Sequence, residues 1–161
     1  LLRHTLPDIH EPTTPTSFTF PVQLPEAPVC ILAHGDRMYR VFQNLIANAL
    51  KYSLEGTRIY LELKVDQGQS EAVLQNISRD ELPNGTDFTA RFVRGDESRS
   101  DGGSGLGLSI ARSFTGACGG TFHVHTQADL FTVQVSFPLT LQRPKPEPIP
   151  APEAADNSHQ A

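Results

Sequence analysis

No stretch of this sequence approaches the roughly 20 apolar residues that a membrane-crossing helix needs, and no signal peptide is visible. Cysteine is scarce. Cys30 and Cys118 are the only two, and neither sits in a CxxC or other metal-ligand spacing, which fits a reducing compartment. A basic surplus is missing as well: 13 Lys and Arg against 18 Asp and Glu give a formal net charge of −5. With a pI near 5.6, the charge has the wrong sign for a nucleic-acid surface. No internal repeat is apparent. His123 and His125 alternate on one face of a predicted strand, but no carboxylate or third histidine is near in sequence. They are read as sheet-face residues rather than metal ligands.

What is present suffices for one domain with a core, since 38% of the 161 residues are hydrophobic. Alternating apolar residues predict strands at Ser17 to Leu24, Val29 to Ala33, Arg58 to Val65, Glu71 to Ile77, Thr121 to Thr126 and Phe131 to Phe137. In the third, Ile59, Leu61, Leu63 and Val65 share the inward face. Helices are expected from Asp36 to Leu54 and from the glycine run to about Cys118, where Gly119-Gly120 stops the second. The fold class is α+β: two layers, with a mixed, mostly antiparallel sheet covered on one face by helices.

The first helix carries two stripes. Met38, Val41, Phe42, Leu45 and Ala49 recur at the period of a buried face. Asn44, Asn48, Lys51 and Tyr52 follow i, i+4, i+7, i+8 on another face, and Asp36 suits the cap or first turn. An amide oxygen is a hard ligand suited to Mg²⁺, and a lysine one turn on can meet phosphate charge. A solvated polar stripe is the alternative, although this one lacks the interleaved Glu and Lys of a usual solvent face.

Gly102, Gly103, Gly105 and Gly107 precede the second helix, marked by Leu108, Ile110, Ala111, Phe114 and Ala117. Glycine allows close backbone approach, and a helix N-terminus offers unpaired N–H groups to an anion. The spacing is neither a Walker loop nor the G-x-G-x-x-G fingerprint. Alone it would equally be a hinge. Paired with the asparagine helix, it points to phosphate.

The run Asn44-Leu-Ile-Ala-Asn-Ala-Leu-Lys-Tyr52 resembles the N box of bacterial sensor histidine kinases, and Gly103-Ser-Gly-Leu-Gly-Leu108 resembles their second glycine box. Between them, Arg91-Phe-Val-Arg-Gly-Asp-Glu-Ser-Arg99 is similar to the F box and ATP lid. The resemblance covers about residues 17 to 138. It implies a catalytic, ATP-binding domain of the superfamily shared with gyrase-type ATPases and the ninety-kilodalton heat-shock chaperones. By that resemblance Asn48 binds Mg²⁺ and contacts ATP, while Lys51 and Tyr52 contact the nucleotide. Gly103, Ser104, Gly105, Leu106, Gly107 and Leu108 form the phosphate loop. Arg94 and Arg99 of the lid meet the triphosphate, while Phe88 and Phe92 anchor the lid base.

One departure stands out. Where the family has an Asp-x-Gly-x-Gly box contacting adenine, this chain reads Val73-Leu-Gln-Asn-Ile-Ser-Arg-Asp80, with Asn76 in place of the aspartate and no glycine. Asparagine can accept from the adenine amino group and donate to a ring nitrogen. It does so without the strength of a charged acceptor. An Asn-x-Ser variant at this place resembles some kinases of Gram-positive bacteria. Gyrase-type relatives carry a water-activating glutamate where this chain has Asn44, which cannot act as a base. Asn44, Asn48 and Lys51 are therefore expected to support transfer of the γ-phosphate to a histidine rather than hydrolysis.

That acceptor histidine is expected on a separate dimeric hairpin, the dimerisation and phosphoacceptor domain, with a response regulator as the next partner. His10-Glu11 superficially resembles an acceptor pair, but Pro7, Pro12 and Pro15 exclude a continuous helix there. Residues 1 to 16 are read as a connector remnant, 17 to 140 as the catalytic domain, and 141 to 161 as a Pro-rich disordered tail. A cytoplasmic site is expected, with any membrane anchor outside this chain. Two other readings remain at this point: a nucleotide-poor pseudokinase, and a serine kinase of the anti-sigma-factor type.

Overall fold

A computed structural model describes residues 18–83, 86–90 and 106–140. Among them the elements run β1 Val22–Gln23, α1 Gly35–Tyr52, β2 Tyr60–Asp66, β3 Gln69–Ile77, α2 Gly107–Ala117, β4 Thr121–Gln127 and β5 Leu130–Pro138. The strands form one sheet in the order β1-β2-β3-β5-β4. Only β1 and β2 are parallel; the other pairs are antiparallel. The α+β class with a mixed, mostly antiparallel sheet is the one expected from the pattern.

The helices bury their apolar stripes against one sheet face. Met38, Val41, Phe42, Leu45, Ile46 and Ala49 of α1 join Leu61, Ala72, Leu74, Phe131, Val133, Val135 and Phe137 in one core, with Ala111 from α2. Burying side chains of this size is worth roughly 1.5–3 kcal/mol each, so the amphipathic face rather than intrinsic propensity holds α1 in place. The opposite sheet face is polar: Lys64 pairs with Glu62 at 2.9 Å, and Gln75 donates to Thr132 at 3.2 Å across β3 and β5.

Several boundaries differ from expectation, each for a backbone reason. The Ser17 to Leu24 strand shrinks to two residues plus a bridge between Thr19 and Arg58. The carbonyls of Thr19 and Pro21 accept from Ile59 and Leu61, but Pro21 has no N–H to return. Val29 to Ala33 is reduced to a bridge between Ile31 and Leu139. Residues Asp66 to Ser70, left between the two expected strands, instead continue both strands to a two-residue turn. Gln67 and Gly68 take φ of 47° and 75° there, the left-handed pair that tight hairpins require. Val65, expected on the inward face with Leu61 and Leu63, is 45% exposed. His34, not Asp36, caps α1, and it does so without a side-chain bond; Asp36 sits in the first turn. The end of α2 follows expectation closely. Gly119 has φ 75° and bonds Gly116, while the Gly120 N–H reaches Thr115, a Schellman closure.

Candidate functional site

The sequence places polar residues on α1, at the end of β3 and at the start of α2; the fold joins the end of β3 to the C-terminus of α1 and sets the start of α2 beside Asn44. Asn44 and Asn48 are half-buried on α1, as are Lys51 and Tyr52. The Lys51 ammonium lies 5.4 Å from the centroid of the Tyr52 ring, within cation–π range. The C-terminus of α1 is stitched to the end of β3. Leu54 donates to the Ile77 carbonyl at 2.9 Å and Arg79 to the Tyr52 carbonyl at 2.8 Å, around a bridge of Ser53 with Ser78.

Asn76 belongs to this stitched end. Its side chain is 2% exposed, and its Oδ1 has no hydrogen-bond partner. An unsatisfied buried acceptor costs about 1–3 kcal/mol, so its retention needs an explanation. Phe131 stands opposite it on β5. Phe88 meets Phe131 edge-on with centroids 5.5 Å apart, so Phe88 anchors its segment on the core as expected. Thr115 also has a buried hydroxyl without a partner; nothing in the structure explains it.

The third wall is α2. Its first residue, Gly107, comes so near α1 that an added β-carbon would lie 3.6 Å from Asn44 Oδ1. Leu106 and Leu108 flank it, both half-buried. Alongside runs a groove of about 450 Å³, lined by Arg40, Asn44, Leu106, Ser109, Ile110, Ser113 and Phe114. Of the expected ligand residues it is lined only by Asn44 and Leu106. Arg94, Arg99, Gly103, Ser104 and Gly105, with Phe92, lie outside the described residues.

One cluster escaped the sequence reading. Thr89 donates to Asp87 Oδ1 from both its hydroxyl and its backbone N–H, and Arg112 of α2 donates to the Thr89 hydroxyl oxygen. The Arg112 guanidinium is 3.8 Å from the Asp87 carboxylate. The Thr89 hydroxyl, then its N–H, hold the Asp87 carboxyl below its ordinary value of 3.8; Arg112 adds to the lowering and desolvation opposes it. The Asp87-Phe-Thr89 spacing is that of a local side-chain turn, a signal the sequence did carry. The partner, Arg112, gave none.

Comparison with known proteins decides the family. The histidine kinase-, DNA gyrase B-, and HSP90-like ATPase family matches residues 33–141. The chain belongs to that family. ATP binding is the property of that family. It is similar to the hybrid signal transduction histidine kinase D of Dictyostelium discoideum, 34% identical over 135 residues, covering 77% of this chain and 9% of that protein. The probable sensor protein PcoS of Escherichia coli is 34% identical over 100 residues, 60% of this chain and 22% of its own length. The chain thus spans under a quarter of these two curated relatives. Among solved structures, the mycobacterial sensor histidine kinase MprB shares the fold with a TM-score of 0.73 at 24% identity, over 86% of this chain and 93% of that one. No helix among the described residues is long and apolar enough to cross a membrane.

Proposed function

We propose that this ATPase domain binds Mg²⁺-ATP between the C-terminal half of α1, the end of β3 and the start of α2, and passes the γ-phosphoryl group to a histidine on a separate acceptor domain. The buried, unpartnered Oδ1 of Asn76 carries the reading. An adenine amino group supplies the donor that this oxygen lacks, and the Asn76 amide can donate to a ring nitrogen in return. Asn48, with Asn44 beside it, offers amide oxygens to Mg²⁺, which when bound neutralises charge on the phosphates. Lys51 presents a cation and Tyr52 a ring face to the nucleotide. Gly107 keeps the backbone of α2 open to the phosphates, with Gly103, Ser104, Gly105, Leu106 and Leu108 completing that loop and Arg94 and Arg99 countering charge from the lid.

Transfer of this kind needs positioning and neutralisation more than covalent help. With Asn44 where a base would stand, water is not activated, and the acceptor nucleophile must come from the partner domain. Similarity to sensor histidine kinases supports a two-component partner. The specific pair proposed is a helical hairpin carrying the histidine, then a response regulator, in the cytoplasm. The Asn76-Ile77-Ser78 variant supports a finer affiliation with kinases of the Gram-positive type. Residues 1 to 16 and 141 to 161, outside the described residues, are proposed as connector and tail.

Titrating a fluorescent ATP analogue with Mg²⁺ tests the site. Saturable binding by the wild type that is lost in Asn48→Ala is the expected result. No binding by the wild type would leave an interaction module without nucleotide, a reading favoured by the missing glycines after Asn76.

A further inference from the structure

β4 is an edge strand: β5 pairs along one side, and no described strand pairs along the other. Its sequence, Thr121-Phe-His-Val-His-Thr-Gln127, has no proline, lysine, arginine or carboxylate. Those are the residues by which sheet edges are ordinarily made unfit for pairing. Phe122 and Val124 pack on the core, while His123 and His125 are exposed on the outer face. Their rings stand nearly parallel, 22° apart in plane, with centroids separated by 6.3 Å. Their neighbours across β5 are Gln134 and Thr132. Neither histidine belongs to the nucleotide site.

Two neighbouring imidazoles on one sheet face are half of a four-histidine zinc ligand set. Among the described residues no group of three or more His, Cys, Asp or Glu could hold a metal ion. A second copy of the chain supplies what is missing. When two antiparallel strands pair, directly opposed residues share a face and stand roughly 4.5–5.5 Å apart at Cβ. A two-fold axis through Val124 therefore sets His123 opposite the partner's His125, and His125 opposite the partner's His123. The His-Val-His run reads the same in both directions, so one register aligns both pairs. An isologous contact of this kind is the usual form of a homodimer.

We propose that β4 forms a zinc-dependent homodimer contact, in which a divalent cation of the zinc class is bound by four histidines, two from each copy, across paired β4 edges. A copy of this chain is the occupant because it brings two imidazoles at the register that edge pairing imposes. The net charge of −5 on each chain opposes association. A bound dication offsets that repulsion and makes the contact conditional on metal. The proposal stands independently of the nucleotide reading.

Sedimentation of the whole chain with micromolar ZnCl2, and again after EDTA, tests it. The expected result is a doubling of mass with zinc, reversed by EDTA, at one zinc per two chains. Hydrogen exchange should show β4 amides gaining protection only with zinc. The His123→Asn/His125→Asn double variant should stay monomeric with zinc, bind zinc at least tenfold more weakly, and keep the wild-type circular dichroism and melting temperature. One zinc per chain without a change in mass would overturn the proposal. So would doubling that persists in the double variant, doubling without β4 protection, or no zinc binding.

Discussion

The side-chain oxygen of Asn44 lies 3.6 Å from the point that a β-carbon on Gly107 would occupy, with Asn44 Cβ and Cγ each 4.0 Å from it. That distance is ordinary van der Waals contact, so alanine fits between the helices. Gly107→Ala should therefore fold, with stability equal to the wild type or higher by the roughly 0.4–1 kcal/mol that removing a glycine can bring. The same methyl stands where phosphates would approach the loop. Affinity for an ATP analogue should fall about tenfold, the equivalent of ~1.4 kcal/mol. A calorimetric titration beside a melting curve separates the two effects, and unchanged affinity would remove Gly107 from the phosphate loop.

Asn76 gives a prediction of opposite sign for stability and for binding. Its orphaned oxygen is a cost in the free protein, so Asn76→Leu should melt at or above the wild-type temperature while losing nucleotide binding. Asn76→Asp makes the acceptor stronger toward an adenine amino group. It also buries a carboxylate that is unpaired until nucleotide arrives, so the free protein should be less stable and gain more from ATP on melting. Equal binding by the leucine variant would place adenine elsewhere.

Gly120 is fixed by space rather than by φ. A β-carbon there would fall 2.7 Å from the Ser136 carbonyl oxygen and collide with the Phe137 ring, which is itself core. Gly120→Ala should cost about 1–3 kcal/mol by overpacking. Chemical denaturation should show a lower midpoint with an unchanged slope.

The Asp87 cluster ties residues 87 to 89 to α2, and its pH dependence has a definite sign. A carboxyl held below its ordinary value of 3.8 in the folded state contributes stability that is present above that value. The contribution disappears as pH falls through the lowered value. Asp87 is exposed, so the effect on global melting should be slight. A carboxyl-detected NMR titration should place the Asp87 midpoint below 3.8 in the wild type and nearer to it in Thr89→Ala, which removes the hydroxyl that lowers it most. An unchanged midpoint in that variant would show that the hydroxyl bond does not form.

Much of this was legible in the sequence because hydrophobic periodicity and the core are two views of one fact. Every residue expected on the buried stripe of α1 is buried, and Ile46 joins them. Asn76 was singled out only by the family resemblance, as the residue standing where the family has an aspartate. That Gly107 meets Asn44, and that the end of β3 meets the end of α1, was not legible from local pattern, which does not encode which strand ends meet which helix ends. The Gln67-Gly68 turn was missed because the run from Asp66 to Ser70 is polar, while ladder pairing continues through it. The partnership of Arg112 with Thr89 joins distant parts of the chain, and no spacing rule announces it.

β3 and β5 are neighbours at the centre of the sheet, yet all the chain from Ile77 to Leu130, with the glycine box and α2, lies between them. The ladder that fixes the sheet is indifferent to how much chain its connection contains, because closure entropy grows only logarithmically: doubling a flexible segment adds roughly 0.6 kcal/mol. Lengthening that connection should thus cost the sheet itself little, provided that the seating of Phe88 on Phe131 and of Thr89 on Arg112 is spared.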